Sequence, residues 1–373
     1  MMTTDGRGLY VHIPFCIRKC NYCDFCSVNT SAVTWRDKYI DVLCDEIYSY
    51  KGRNIAIDTI FFGGGTPSLL TPVEFEKICS AIKQSFVVLP DAEFTVEANP
   101  KTLDGAKLAA FKKCGVNRLS IGLQSIHENE LKILGRIHSF EEFIDSYRLA
   151  RQCGIDNINI DLMYGIPEQT IDSFEETLRQ VLSLKPEHIS LYGLILEEGT
   201  PLFNKKDEIT FPPEDTECDM YYLAAGFLAS AGYSHYEISN YAKADRLCRH
   251  NLKYWRAQEY IGVGLNAHSF LDGRRFSNTD DVDSYLSNSS DSVITEDSAD
   301  LDRESEFVML ALRLSEGLSF EEYRRSFGKD FLLGKTEKLN MLAAAGLVNL
   351  TSEGLSLTEK GFYVSNSIIC ELI

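Results

Sequence analysis

Leu9, Val11 and Ile13 alternate with Tyr10 and His12 until Pro14 stops the run, a period of two that predicts a short strand ending at a loop. The period then lengthens. Tyr39, Ile40, Leu43, Ile47 and Tyr50 recur at helical spacing within 35–50, which predicts a helix with one buried face. Residues 57–62 read as the next strand. Thr71-Pro72-Val73-Glu74 is a capping box with proline at the first helical position, opening a helix to about Phe86. The alternation continues with a strand at 94–98, a helix at 103–114 closed by Gly115, and a strand at 116–121. Ser139 and Glu142 cap a further helix that ends at Cys153-Gly154. A strand at 155–162, a helix at 170–184 and a strand at 188–194 follow.

The joints KKCGVNRLSIGL from Lys112 and RQCGIDNINIDL from Arg151 repeat one αβ unit. Strict alternation predicts a parallel sheet with helices outside. No G-x-G-x-x-G follows the first strand, so six such units favour an α/β fold of the incomplete (β/α)6, TIM-like barrel kind over an open nucleotide-binding sheet. After Leu196 the rhythm breaks. Residues 214–231 read as a long helix, 233–241 as an extended aromatic piece and 260–270 as a glycine-containing segment. Residues 284–300, rich in Ser and Asp, read as a linker. Helices at 304–314, 319–327 and 335–345 and a hairpin at 347–360 then predict a small helical, winged-helix-like domain. The resulting division is a partial barrel over 1–200, an extension over 201–290 and a C-terminal domain over 300–373.

Charge removes the obvious reading of that last domain. Residues 302–373 carry 8 Lys and Arg against 11 Asp and Glu, and the whole chain has a net charge of −18. Neither balance suits nucleic acid or an anionic membrane, so no nucleic-acid partner is expected. The start, MMTTDGRG, has no basic end followed by an apolar core, and no long apolar run follows. Eleven cysteines without an export signal are expected as thiols or metal ligands in a reducing, cytoplasmic compartment.

Cys16, Cys20 and Cys23 crowd the loop after the first strand with spacing C-x3-C-x2-C, and Cys26 follows. Zinc would ask for a second compact pair downstream. A bacterial ferredoxin would ask for Cys-Pro where Thr30 and Ser31 stand. A 4Fe-4S cluster on three cysteines, with one iron open to an exchangeable ligand, resembles the signature of the radical SAM superfamily, in which S-adenosylmethionine (SAM) takes that iron. Polar groups at other strand ends point to the same face: Gly63-Gly64-Gly65-Thr66-Pro67, Glu97-Ala98-Asn99-Pro100, Gln124-Ser125 and Asp161. In a barrel the chemistry sits at the carboxyl ends of the strands. The glycines are expected to leave backbone N–H and C=O groups free for a ligand.

These residues, with Tyr10-x-His12-Ile13-Pro14-Phe15-Cys16, the stretch from Arg118 to Ser125, Leu134-Gly135-Arg136 and Asp161 to Pro167, resemble the oxygen-independent coproporphyrinogen III oxidase family. The resemblance implies that Cys16, Cys20 and Cys23 ligate the cluster. It implies that Tyr10, Gly64, Gly65, Thr66, Glu97, Gln124, Arg136 and Asp161 line the SAM site. Arg136 would suit the methionine carboxylate, and Glu97 and Asp161 the ribose hydroxyls or the ammonium. The implied chemistry is electron transfer from the reduced cluster into the sulfonium, giving methionine and a 5′-deoxyadenosyl radical.

Within that family the oxidases place a further cysteine where this chain has Phe25, and carry a longer segment before the position of Tyr10. The HemW-type heme-chaperone branch has an aromatic at the Phe25 position and the motif H-N-x-x-Y-W, here His250-Asn251-Leu252-Lys253-Tyr254-Trp255. That resemblance implies haem binding through His250, Asn251, Tyr254 and Trp255. Without it, the same residues read as a packed lid on the barrel. The expectation is a radical SAM protein that hands haem to client haem proteins, respiratory enzymes among them, with a homodimer as one assembly it allows. The alternative is coproporphyrinogen III oxidation, with SAM cleavage open in either case. Cys26 and Cys248 are expected as plain thiols.

Overall fold

The computed structural model describes residues 6–30, 34–287, 293–295 and 302–373. Six strands alternate with helices: β1 (Arg7–Ile13), β2 (Ala56–Gly64), β3 (Val87–Ala98), β4 (Arg118–Gln124), β5 (Ile158–Tyr164) and β6 (His188–Gly193). They pair in sequence order, each parallel to the next. The main helices between them are Arg36–Tyr48, Pro72–Ser85, Gly105–Cys114, Phe140–Gln152 and Ile171–Ser183. Their starts are dictated locally, with reciprocal capping boxes at Thr71–Glu74 and Ser139–Glu142.

Two strands begin later than the sequence pattern predicts, for one reason. At both repeated joints the apolar residue after glycine closes the preceding helix: Val116 N–H bonds Phe111 C=O (3.0 Å) and Ile155 N–H bonds Ala150 C=O (3.1 Å). Gly115 and Gly154 adopt positive φ to make the turn, which is the Schellman arrangement. Val116 and Ile155 therefore belong to the helix stop.

The sheet continues past both barrel edges. Tyr260–Val263 adds a seventh parallel strand beside β1, followed outward by His268–Leu271, Arg274–Asn278 and Val293–Thr295. Asn240–Ala242 and Ser234–Glu237 flank β6. Among the described residues the order is linear over twelve strands, so the barrel stays open. The segment read as a linker, 284–300, instead contributes to helix Val282–Ser287 and strand Val293–Thr295; its remaining residues lie outside the described ones. Gly262 explains how the added strand fits, because a Cβ there would meet the His268 carbonyl oxygen at 2.1 Å.

The C-terminal region contains helices Arg303–Ala311, Phe320–Phe327 and Thr336–Ala344 and the hairpin Val348–Leu350/Gly354–Leu357, joined by Leu318–Ser319 into a three-stranded sheet. Two terminal helices, Glu359–Tyr363 and Ser365–Leu372, complete it. It docks on the barrel through a Glu237–Leu314 bridge and a His235–Glu359 contact of 3.0 Å. Among the described residues no helix is long and apolar enough to cross a membrane.

Candidate functional site

Alternation along each strand separates two chemistries. Leu9, Val11 and Ile13 on β1, Ile60 and Phe62 on β2, Leu119 and Ile121 on β4, and Ile158 and Ile160 on β5 are buried in the main hydrophobic core. The intervening residues line a cavity inside the barrel: Tyr10, Phe61, Glu97, Arg118, Ser120, Asn159, Asp161, Ser190 and Tyr192. It encloses ≈ 620 Å³ of empty space out to its open mouth. Register aligns its polar walls, since Glu97 pairs with Ser120, Ser120 with Asn159, and Asp161 with Ser190. A core is thus outside the sheet and a polar chamber within it.

The cysteine loop closes one side of the mouth. Phe15–Cys16 pairs with Val28–Asn29, and Asn21 ties the loop to the end of the short helix Glu128–Ile133 through the Ile133 and Leu134 carbonyls. His12 Nε2 lies 2.8 Å from the Cys26 carbonyl and Nδ1 lies 3.1 Å from the Tyr10 hydroxyl. A carbonyl only accepts, so Nε2 carries the proton and Tyr10 donates to Nδ1. Burial lowers the His12 pKa to about 4, keeping this link neutral. Burial raises the thiols of Cys16 and Cys23, the latter to about 11.

The loop sulfurs meet donors suited to thiolate. Arg136 Nη1 donates to Cys20 Sγ (3.4 Å) and Thr66 Oγ1 to Cys16 Sγ (3.6 Å). Arg136 also donates to Asn99 Oδ1 (2.7 Å) and the Gly122 carbonyl, while its buried Nε has no partner among the described residues. A buried guanidinium held by neutral acceptors fits an anionic group beside the thiols. No three His, Cys, Asp or Glu side chains among the described residues gather around a single metal ion; a four-iron cluster spans more than one ion and suits the wider set.

The residues expected at the SAM site share this end of the barrel, in two compartments. Tyr10, Gly64, Glu97 and Asp161 line the central cavity, whereas Thr66 and Arg136 line a smaller one with Cys20 and Asn99. Gln124 lies beside Arg136, since a Cβ on Gly122 would meet both side chains. The glycines depart from expectation. Gly64 N–H donates to Glu97 Oε2 (3.2 Å) and Gly65 N–H to the Ile13 carbonyl (2.8 Å), so these two donors serve the fold. Gly65 has no room for a side chain against Pro14 and Phe15. Glu97 is half-buried on the cavity wall, and desolvation together with the charge of Asp161 raises its pKa to about 8, against the opposing pull of the Gly64 N–H and Arg118.

The H-N-x-x-Y-W residues lie on helix Arg249–Trp255 and face different ways. His250 is buried and neutral, burial and then the charges of Lys253 and Arg118 lowering its pKa to about 3. Its Nδ1 is bonded to Thr59 Oγ1 (2.9 Å) and its Nε2 to Tyr254 Oη (2.8 Å), while the ring stacks on Phe61. Both nitrogens are therefore spent. Trp255 packs toward Leu314, with Arg313 over its ring. Asn251 alone of the four lines the central cavity. Cys248 caps nothing catalytic; its thiol contacts Glu93, which also accepts the N–H groups of Arg249 and His250.

Sequence reasoning quoted Arg118 without giving it a role, and missed Asn159, His188 and Tyr192. Asn159 joins Ser120, Asp161 and Ser190, and His188 bridges Asn159 Oδ1 and the Tyr236 hydroxyl. The available signal was polar residues at alternate positions within otherwise apolar strands.

Comparison with known proteins places this geometry. Residues 10–181 match the radical SAM superfamily and 300–364 the HemN C-terminal domain. The chain is 34% identical to heme chaperone HemW of Bacillus subtilis (strain 168) over 97% of this chain and 98% of that one. It is 35% identical to heme chaperone HemW of Escherichia coli (strain K12), covering 99% and 98%. A Bos taurus relative, radical S-adenosyl methionine domain-containing protein 1, mitochondrial, is 31% identical over 99% of this chain and 88% of its own. The solved structure of E. coli coproporphyrinogen III oxidase (HemN), a radical SAM enzyme, superposes with a TM-score of 0.84 over 98% of this chain and 90% of that one, at 24% identity; it shows the fold. With a parallel partial barrel, a three-cysteine loop at its mouth and this full-length similarity, the chain belongs to the heme chaperone HemW family of radical SAM proteins.

Proposed function

We propose that the protein binds haem and passes it to client haem proteins in the cytoplasm, holding a 4Fe-4S cluster on Cys16, Cys20 and Cys23 and SAM beside it. The observation that carries this reading is identity of 34–35% along nearly the whole chain to proteins named heme chaperone HemW. The cysteine loop and its donors, Arg136 and Thr66, fit a cluster bearing negative charge. Arg136 suits the SAM carboxylate, and Glu97 and Asp161 suit its hydroxyls and ammonium. A bound cluster supplies one-electron reduction. The chain's own share is to hold and orient the cofactor. Phe25, rather than cysteine, at the mouth separates this reading from coproporphyrinogen III oxidation.

An anaerobic comparison tests it. Cluster-reconstituted protein is given SAM and a reductant, with haemin in one arm and coproporphyrinogen III in the other. Stoichiometric haem binding, seen in the Soret band, with no protoporphyrinogen is the expected result. Sustained protoporphyrinogen formation overturns the carrier reading in favour of the oxidase.

A further inference from the structure

Most exposed large apolar side chains on this protein need no explanation individually, but two share one cavity. Phe25 is 69% exposed on the cysteine loop and Tyr192 is 40% exposed at the end of β6. Phe25 and Tyr192 both line the central cavity, with Phe61 and Tyr10 farther in. The Tyr192 hydroxyl lies beside Ser190 and the carboxylate of Asp161. Two exposed aromatic side chains thus border a polar chamber.

We propose that haem lies across this mouth, its macrocycle held between Phe25 and Tyr192, with the H-N-x-x-Y-W helix contributing a wall through Asn251. The inference deepens the haem-carrier reading and rests on it.

Three observations single out this occupant. First, a flat apolar ring stacks on aromatic faces, and Phe25 and Tyr192 offer two such faces on the wall of one cavity. Second, the anionic propionates need cations on an otherwise acidic protein, and Arg18 and Lys19 are exposed on the same loop as Phe25. Third, the other candidate platform is closed. His250 has both ring nitrogens bonded within the protein, and Lys253 is paired with Asp58 at 2.8 Å. Of that helix's four motif residues, Asn251 lines the cavity that Phe25 and Tyr192 frame.

The test is a haemin titration, read in the Soret band, of the full-length, cluster-reconstituted protein and of F25A, Y192A, K19E and F25Y. Phe25 is mostly exposed, so its replacement leaves the fold intact, and circular dichroism and iron content verify this for every variant. Expected are about tenfold weaker binding in F25A and in Y192A, weaker binding in K19E, and near wild-type binding in F25Y. If wild type binds haem and both alanine variants stay within about twofold of it, haem lies elsewhere, the mouth site is overturned, and the carrier reading stands. If wild type binds no haem, both the site and the carrier reading fall.

Discussion

Glu97 is where desolvation and ligand chemistry oppose each other most directly. Its carboxyl, raised to about 8 by desolvation and by Asp161, is largely protonated at pH 7 in the free protein. The unfolded chain ionises near the ordinary carboxylate range, so between that range and pH 8 the folded state holds the extra proton. Stability contributed by this group is therefore full at low pH and lost as pH rises through 8. A cationic ligand reverses the preference. SAM affinity is predicted to rise with pH below 8, by as much as about tenfold per unit. E97Q should flatten that profile and remove the loss of stability; calorimetric titration from pH 6 to 9 and thermal melts of the ligand-free protein measure the two effects. His250 makes the opposite case, a motif residue whose visible work is structural. H250A should cost about 2–4 kcal/mol, from lost packing and two lost hydrogen bonds, as read by urea denaturation.

At the scale of elements, two glycines with nearly equal φ have different duties. Gly115, at φ 109°, ends a helix with nothing near its hydrogens, whereas Gly64, at φ 106°, would put a Cβ 2.4 Å from His12 Cε1. G115A should cost about 1–2 kcal/mol, the penalty of a left-handed residue. G64A should cost about 3 kcal/mol or more, because strain and collision add. It should also lower iron content, since His12 ties β1 to the Cys26 carbonyl. Denaturation curves and iron assays of both variants check the contrast. The sequence pattern made the helix caps, the six barrel strands and the cysteine loop legible, because each is written in neighbouring residues. What it hid depends on distant partners. The N–H groups of Gly64 and Gly65 are spent on Glu97 and Ile13, and Tyr260–Val263 joins β1 from far along the chain. The role of Arg118 was hidden differently: a buried cation inside a barrel strand leaves no local mark beyond its alternation with apolar neighbours.

On the scale of the whole molecule, the open sheet leaves a polar chamber whose mouth is framed by the cysteine loop and the end of β6, with the C-terminal region docked on the edge beyond β6 through Glu237 and His235. Such a layout gives a carrier an accessible rim at which to present its cargo. The most direct measurement is transfer. Haem-loaded, cluster-reconstituted protein is mixed anaerobically with an apo haem protein, and the Soret band is followed as haem moves between them. The account predicts that haem leaves this protein for the acceptor faster than it dissociates into solution, at a rate that rises with acceptor concentration. Transfer at a rate independent of acceptor concentration and equal to free dissociation would contradict it.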